Sequence, residues 1–182
     1  MDKLVTSIKV KLPFQVTWTD YPDDESCAIA VYCVGCDFSC HNCHNPELQD
    51  KNYKDEHTHI FYMEEFIGEL RIVLKKNNTN KVVLLGGDFC SKGNIKFTKE
   101  FCNIMGEELD ICIYTGHSFY YIMAHDIIGW TFLKTERYNN TKKQLSGKND
   151  SCFILGSTNQ KLYKKYTLIS EEGIYNYSKG DK

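Results

Sequence analysis

Four times along the chain an apolar run stops at a residue pair containing glycine or threonine and gives way to polar side chains, and this repetition constrains the fold more than any other feature. Gly35-Cys36 follows residues 28–34, Gly86-Gly87-Asp88 follows 82–85, Thr115-Gly116-His117 follows 111–114, and Gly156-Ser157-Thr158-Asn159-Gln160 follows 153–155. A fifth apolar run covers 127–133. Continuous apolar runs suit strands covered on both faces, as in a parallel sheet.

Helical periodicity fills the intervals. Over 62–76, Met63, Phe66, Ile67, Leu70 and Leu74 share one face, with Glu64 and Glu65 at the start and Lys75 and Lys76 at the end, as the helix dipole favours. A second helix over 95–105 places Phe97, Phe101, Ile104 and Met105 on one side. A third starts after Ser118, a good N-cap, and is expected to bury Phe119, Ile122 and Met123. Alternation of this kind predicts βα units around a mostly parallel sheet. With 182 residues the chain is too short for eight such units. The expected fold is therefore α/β: a partial, open (βα) barrel, one domain over residues 1–182. Residues 3–19, where Phe14, Val16 and Trp18 alternate with polar neighbours, read as edge strands or a hairpin. Residues 136–150 are almost devoid of apolar side chains and read as a mobile surface loop.

In parallel βα architectures ligands bind at the carboxyl ends of the strands, so the four polar stretches are expected on one rim. Gly86-Gly87 permits close approach of a ligand to bare backbone, and Asp88 beside it offers acceptors to an ammonium group. Thr115, Ser157 and Asn159 offer hydroxyl and amide groups to a carboxylate, a ribose or an adenine edge. Each stretch alone has a plainer explanation, since Gly-Gly-Asp after a strand is usually a turn.

The first of the four carries the chemistry. Cys36, Cys40 and Cys43 stand at C-x3-C-x2-C spacing directly after an apolar strand. Three thiolates so placed can hold three irons of a cubane and leave the fourth iron open to a small molecule, whereas a complete electron-transfer site normally has four thiolates. Cys33 creates a competing reading, a four-thiolate zinc site with the same three residues. Its place inside the apolar run argues instead for a buried, inert thiol. Cys27, Cys90, Cys102, Cys112 and Cys152 read as core thiols, and His57 and His59 as surface residues. The nine cysteines are an odd number, four of them crowded between 33 and 43, which is a metal-site distribution and not a disulfide framework.

Composition excludes several classes. Lys and Arg (22) nearly balance Asp and Glu (24), so the basic excess of a nucleic-acid binder is missing. Lys142-Lys143 and Lys164-Lys165 read as solvated surface. No apolar run approaches the ~18–20 residues that span a bilayer, and the N-terminal apolar residues are interrupted by charge too often for a signal peptide. A cytoplasmic location is expected.

The run Gly35-Cys36-x3-Cys40-x2-Cys43-His44-Asn45-Pro46-Glu47-Leu48, with Gly86-Gly87-Asp88, Tyr114-Thr115-Gly116 and Gly156-Ser157-Thr158-Asn159-Gln160, resembles the radical S-adenosylmethionine enzymes. More narrowly it resembles the activating proteins of anaerobic ribonucleoside-triphosphate reductases, from about Trp18 to Leu168. The resemblance implies a [4Fe-4S] cluster on Cys36, Cys40 and Cys43, whose open iron binds S-adenosylmethionine. One electron then cleaves the carbon–sulfur bond, and the resulting 5′-deoxyadenosyl radical takes a hydrogen from a glycine of a large reductase subunit. It implies that Asn42, Cys43 and His44 line the methionine end of the cofactor, and that Gly87 with its neighbours Gly86 and Asp88 meets the amine. It also implies an electron donor such as a flavodoxin or ferredoxin, and no nucleic acid or membrane partner. An activase for a different glycyl-radical enzyme, or a small-molecule radical enzyme, is the alternative. The chain departs from the family pattern in having Asn42 where an aromatic residue often precedes the third cysteine, Phe89-Cys90 after Gly-Gly-Asp, and Glu136 where glycine is expected.

Overall fold

A computed structural model describes residues 6–23, 26–143 and 155–170. The chain enters as a long strand, β1 (Ser7–Thr17), whose side chains alternate between buried and exposed positions. It continues into β2 (Ala28–Cys33), which is buried almost throughout. After the cysteine loop and a short 3₁₀ turn (Pro46–Gln49), β3 (Thr58–Tyr62) leads directly into helix α1 (Met63–Asn77). Then come β4 (Lys81–Gly86), α2 (Ile95–Met105), β5 (Asp110–Tyr114), α3 (Phe119–Ala124), β6 (Phe132–Thr135), β7 (Lys161–Lys164) and β8 (Thr167–Ser170).

All eight strands form one open sheet in the order β3-β1-β2-β4-β5-β6-β7-β8. The three ladders linking β2, β4, β5 and β6 are parallel. The four outer ladders, β3–β1, β1–β2, β6–β7 and β7–β8, are antiparallel. The expectation of a mostly parallel sheet is thus corrected: the parallel part is the centre, and antiparallel strands flank it on both sides. The reason is visible in the burial patterns. Strands β2 and β4 are apolar on both faces, whereas β1 alternates and β3 has no fully buried residue, as befits strands toward the edge.

The two faces of the sheet bury different sets. Ile29, Val31, Val82, Leu84, Ile111 and Ile113 pack with Phe66, Leu70, Phe97, Phe101 and Ile122 from the helices. Ala28, Ala30, Val83, Leu85, Cys112 and Phe132 point the other way, into a smaller cluster that contains no helical residue. That second face is where a cavity opens at the carboxyl ends of the strands.

Helix α1 buries the five expected residues, and the Glu65 carboxylate accepts from the Tyr62 N–H at 3.1 Å at its start. In α2, Phe97, Phe101 and Met105 are buried as expected, but Ile104 is exposed, and Thr98 and Cys102 take the inward face. Ser118 caps α3 by accepting from Tyr121 N at 3.3 Å. Only Ile122 of that helix is fully buried, with Phe119 and Met123 half-covered. The run 127–133 is not one strand. The chain turns at Gly129, whose φ is +84°, and the strand begins at Phe132. A Cβ at Gly129 would stand 2.4 Å from the Cys102 carbonyl oxygen, so the turn packs bare backbone against α2. Residues 3–19 give no internal hairpin among the described residues; β1 instead pairs with β2 and β3. Residues 153–154 of the fourth expected strand lie outside the described residues, as do Cys152 and 144–150 of the expected loop. Among the described residues, no helix is long and apolar enough to cross a membrane.

Candidate functional site

The cavity has a volume of about 400 Å³ and its walls come from every rim stretch that the sequence singled out. Cys36, Cys40, Asn42, Cys43 and His44 form one side; Gly86, Gly87 and Asp88 follow β4; Thr115 and Gly116 follow β5; Gly156 and Gln160 close the far side. Four further residues that sequence reasoning missed also face it: Phe38, Lys134, Glu136 and Arg137.

Main-chain bonds hold the cysteine loop in place. Val34 N donates to Lys9 O at 2.9 Å, Gly35 N to Leu48 O at 2.8 Å, and Cys36 N to Gln49 O at 3.2 Å. On the β4 side, Gly87 N donates to Cys33 O and Asp88 N to Gly35 O, both at 2.8 Å. The two glycines make this approach possible. A Cβ on Gly87 would stand 2.5 Å from Gly35 O and 2.8 Å from Leu48 O, and one on Gly86 2.7 Å from Cys33 N. Buried Asn94 completes the clamp: its amide donates to Val34 O at 3.1 Å and to Asp88 O at 3.0 Å. Phe38, between the first two cysteines, lies on Gly116, where a Cβ would meet its ring at 2.5 Å. The Arg137 guanidinium stands 5.1 Å from the Phe38 ring centroid, and the His117 ring 4.7 Å from it.

Asp88 is the most deeply buried carboxylate of the site, 1 % exposed. One oxygen accepts from Cys90 N at 2.8 Å; the other accepts from the Thr115 hydroxyl at 3.0 Å and from Gly116 N at 2.9 Å. Burial raises its pKa to about 6, against the pull of those three donors. Asp88 therefore bolts the loop after β4 to the loop after β5. Thr115 is part of the same bolt.

Ser157 and Asn159 stand behind the cavity wall and not on it. The Ser157 hydroxyl accepts from Asn139 N at 3.1 Å, and the Asn159 amide donates to Arg137 O at 2.9 Å. Gln160 accepts from Gly156 N at 2.8 Å and donates to Glu136 O at 3.1 Å. The polar tail of the fourth stretch thus staples residues 136–139 to the rim. Lys134, inside a strand, projects its ammonium into the cavity 4.2 Å from the Tyr114 ring centroid, and desolvation lowers its pKa to about 8.

The donor set fits an iron–sulfur cubane. Cys36, Cys40 and Cys43 are half-buried free thiols on one cavity wall. A cubane asks for thiolates at separate corners, and they are spread along a loop. Among the described residues no three His, Cys, Asp or Glu side chains converge in the manner that one ion would need. Cys33, 0 % exposed, belongs to the core on the helix side, with its amide neighbour Asn94 3.7 Å from the sulfur. The four-thiolate zinc reading loses its fourth ligand there. Burial also pushes the Cys36 thiol up to about 12, partly offset by the Phe38 N–H. A bound cationic metal would offset that burial and favour the thiolate. Cys27, Cys90, Cys102 and Cys112 are buried, as expected of core thiols.

The family described as a 4Fe-4S single cluster domain matches this chain over residues 25–164. No curated protein matches it.

Proposed function

The chain belongs to the 4Fe-4S single cluster domain family, and from that premise we propose that it is a radical S-adenosylmethionine enzyme that activates an anaerobic ribonucleoside-triphosphate reductase. The observation that carries the reading is the meeting of Cys36, Cys40 and Cys43 with the ends of three adjacent parallel strands on one cavity. The fold proposed is the open barrel of that superfamily, its concave face being the one without helices.

Once bound, a [4Fe-4S] cluster supplies the electron that cleaves S-adenosylmethionine to methionine and a 5′-deoxyadenosyl radical. The protein's own part is placement. Cys36, Cys40 and Cys43 would hold the cluster, three thiolates for its four irons. Asn42 and His44 line the same cavity beside these cysteines, where they would receive the methionine end of the cofactor. Gly86 and Gly87 keep the cysteine loop tight on the sheet, and the carbonyls of this rim receive the amine. Tyr32, Leu85 and Tyr114 give the cavity an apolar floor that excludes water from the radical. The partner is the large glycyl-radical subunit, fed by an electron from a flavodoxin or ferredoxin. An exposed glycine loop of that subunit would enter through the cavity mouth.

Anaerobic mixing of the reduced, cluster-loaded protein with S-adenosylmethionine and the reductase should yield a carbon-centred doublet in electron paramagnetic resonance. Replacing the target glycine of the reductase by alanine should abolish it. A doublet that persists in the alanine variant would sink the activase reading.

A further inference from the structure

Four rings form one stack that leads from the cysteine loop to the outer surface. Phe38, between Cys36 and Cys40, lines the cavity, and its N–H reaches the Cys36 sulfur at 3.4 Å. Its ring centroid lies 4.7 Å from that of His117. His117 stacks on Tyr121 at 3.8 Å with the planes 10° apart, and Tyr121 meets His125 at 4.2 Å. His125 is exposed, at the end of α3. The buried Nε2 of His117 has no hydrogen-bond partner among the described residues. Stacking, and not hydrogen bonding at that nitrogen, therefore places the ring. Neither the cavity nor the bolting of its rim makes use of Tyr121 or His125.

The stack surfaces beside α2 and α3, on the helical face of the sheet, and the charge left over there is positive. Lys99 of α2 pairs with Asp126, just beyond α3, at 3.2 Å. Asp37 accepts from Lys92 N at 2.8 Å and lies 3.5 Å from His117 Nε2. Glu100 accepts from the Thr6 hydroxyl. These acidic groups are engaged, whereas the ammonium groups of exposed Lys92 and Lys96 have no ion-pair partner among the described residues. Tyr120, next to Tyr121 in the chain and 83 % exposed, adds an aromatic anchor of the kind that interfaces favour.

We propose that this face docks the electron donor, a small carrier protein with an acidic rim around its redox group, and that the electron reaches the cluster through His125, Tyr121, His117 and Phe38. The inference rests on the reading that a cluster on Cys36, Cys40 and Cys43 takes its electron from a carrier protein. One electron leaves the carrier's reduced flavin or iron–sulfur group and the cluster gains it; the rings are neither oxidised nor reduced. They matter because electronic coupling decays more steeply across a gap than across groups in contact, and rings 3.8–4.7 Å apart leave no gap. Positive charge on the docking face steers an acidic partner and speeds encounter. The opposite, concave face carries no helical residue in its core and keeps the cavity mouth for the reductase. Donor and reductase can therefore be bound at once.

Rapid mixing of the oxidised, cluster-loaded protein with fully reduced flavodoxin tests this without S-adenosylmethionine or turnover, the readout being the reduced cluster's electron paramagnetic resonance signal. The double variant Lys92→Glu, Lys96→Glu should cut the second-order rate at least about tenfold at low salt, a gap that closes as salt screens the charges. Its limiting rate at saturating donor should match wild type. Tyr121→Leu should do the reverse, losing limiting rate while keeping the salt dependence, and Tyr121→Phe should recover that rate. Dithionite, small enough to enter the cavity mouth, should reduce every variant as fast as wild type. An unchanged second-order rate in the charge-reversed variant at low salt overturns the docking face, and an unchanged limiting rate in Tyr121→Leu overturns the route. A variant slowed equally with dithionite has its defect at the cluster, which also overturns the inference. Wild type reduced by dithionite but not by flavodoxin sinks the inference alone. Wild type that loads no cluster sinks the reading beneath it.

Discussion

Asp88 makes the stability of this fold depend on pH in the sense opposite to most carboxylates. Its folded pKa is raised from 3.8 to about 6, mainly because the charged form is cut off from water. A raised folded pKa means that the folded state holds the proton more tightly than the unfolded state. The stabilisation is complete below the unfolded value and disappears as pH rises through the folded one. The difference of about 2 pKa units corresponds to roughly 3 kcal/mol lost between about pH 4 and pH 7. Asp88→Asn should abolish this component, since the amide does not titrate. The variant also turns an amide donor toward donors of the backbone, so at the acid end of the range its stability should be lower than wild type by about 1–3 kcal/mol, a deficit that closes as wild type loses its own contribution with rising pH. Urea denaturation of the reduced protein under argon, from pH 4.5 to 7.5, measures both effects. The wild-type minus Asn difference should shrink as pH rises, with other titrating groups cancelling between the two proteins. A difference that stays flat or grows with pH would refute the assignment of Asp88 as the buried, strained charge.

Single alanine variants of the cysteines should sort by position. Cys36→Ala, Cys40→Ala and Cys43→Ala should lose bound iron on anaerobic reconstitution, whereas Cys33→Ala should retain near wild-type iron and lose only packing in the core; iron analysis and visible absorption decide. Gly87→Val should lose the cluster as well as S-adenosylmethionine, because its Cβ would stand 2.5 Å from Gly35 O and unseat the cysteine loop. Full iron content in that variant would show that the loop is held by something other than this contact.

What the sequence disclosed depended on how strongly each residue's neighbourhood constrains it. The apolar face of α1 and the doubly buried β2 and β4 were legible because helical spacing and uninterrupted apolar runs have few other uses. The flanking antiparallel strands were less so. β3 runs directly into α1, so its apolar Ile60, Phe61 and Tyr62 merge with the helical pattern that starts at Met63, and Ile60 and Tyr62 stay exposed in the fold. The rim positions of Gly86, Asp88 and Thr115 followed from their place after strands, but their partners did not. Asp88 and Ser157 look like ligand groups in sequence, and it takes the fold to bring Gly116 to one and Asn139 to the other. Lys134 was hidden by its strand, since an alternating pattern cannot say that an inward position opens on a cavity. Residues 136–143 read as free loop for lack of apolar side chains, whereas Asn159 and Gln160 hold their backbone by hydrogen bonds that hydrophobicity does not register.

The main-chain seating of the cysteine loop separates where the thiols stand from which residues lie between them. Five backbone bonds, from Val34, Gly35, Cys36, Gly87 and Asp88, set the loop's register on the sheet. Exposed Ser39 and His41 take no part in them. Drift at those two positions leaves the thiols where they are, so the loop can change its outward chemistry, and with it the company it keeps, while its inward chemistry stands still. A selection experiment that randomised Ser39 and His41 would therefore sample recognition, and one that randomised Gly35 or Gly87 would sample folding.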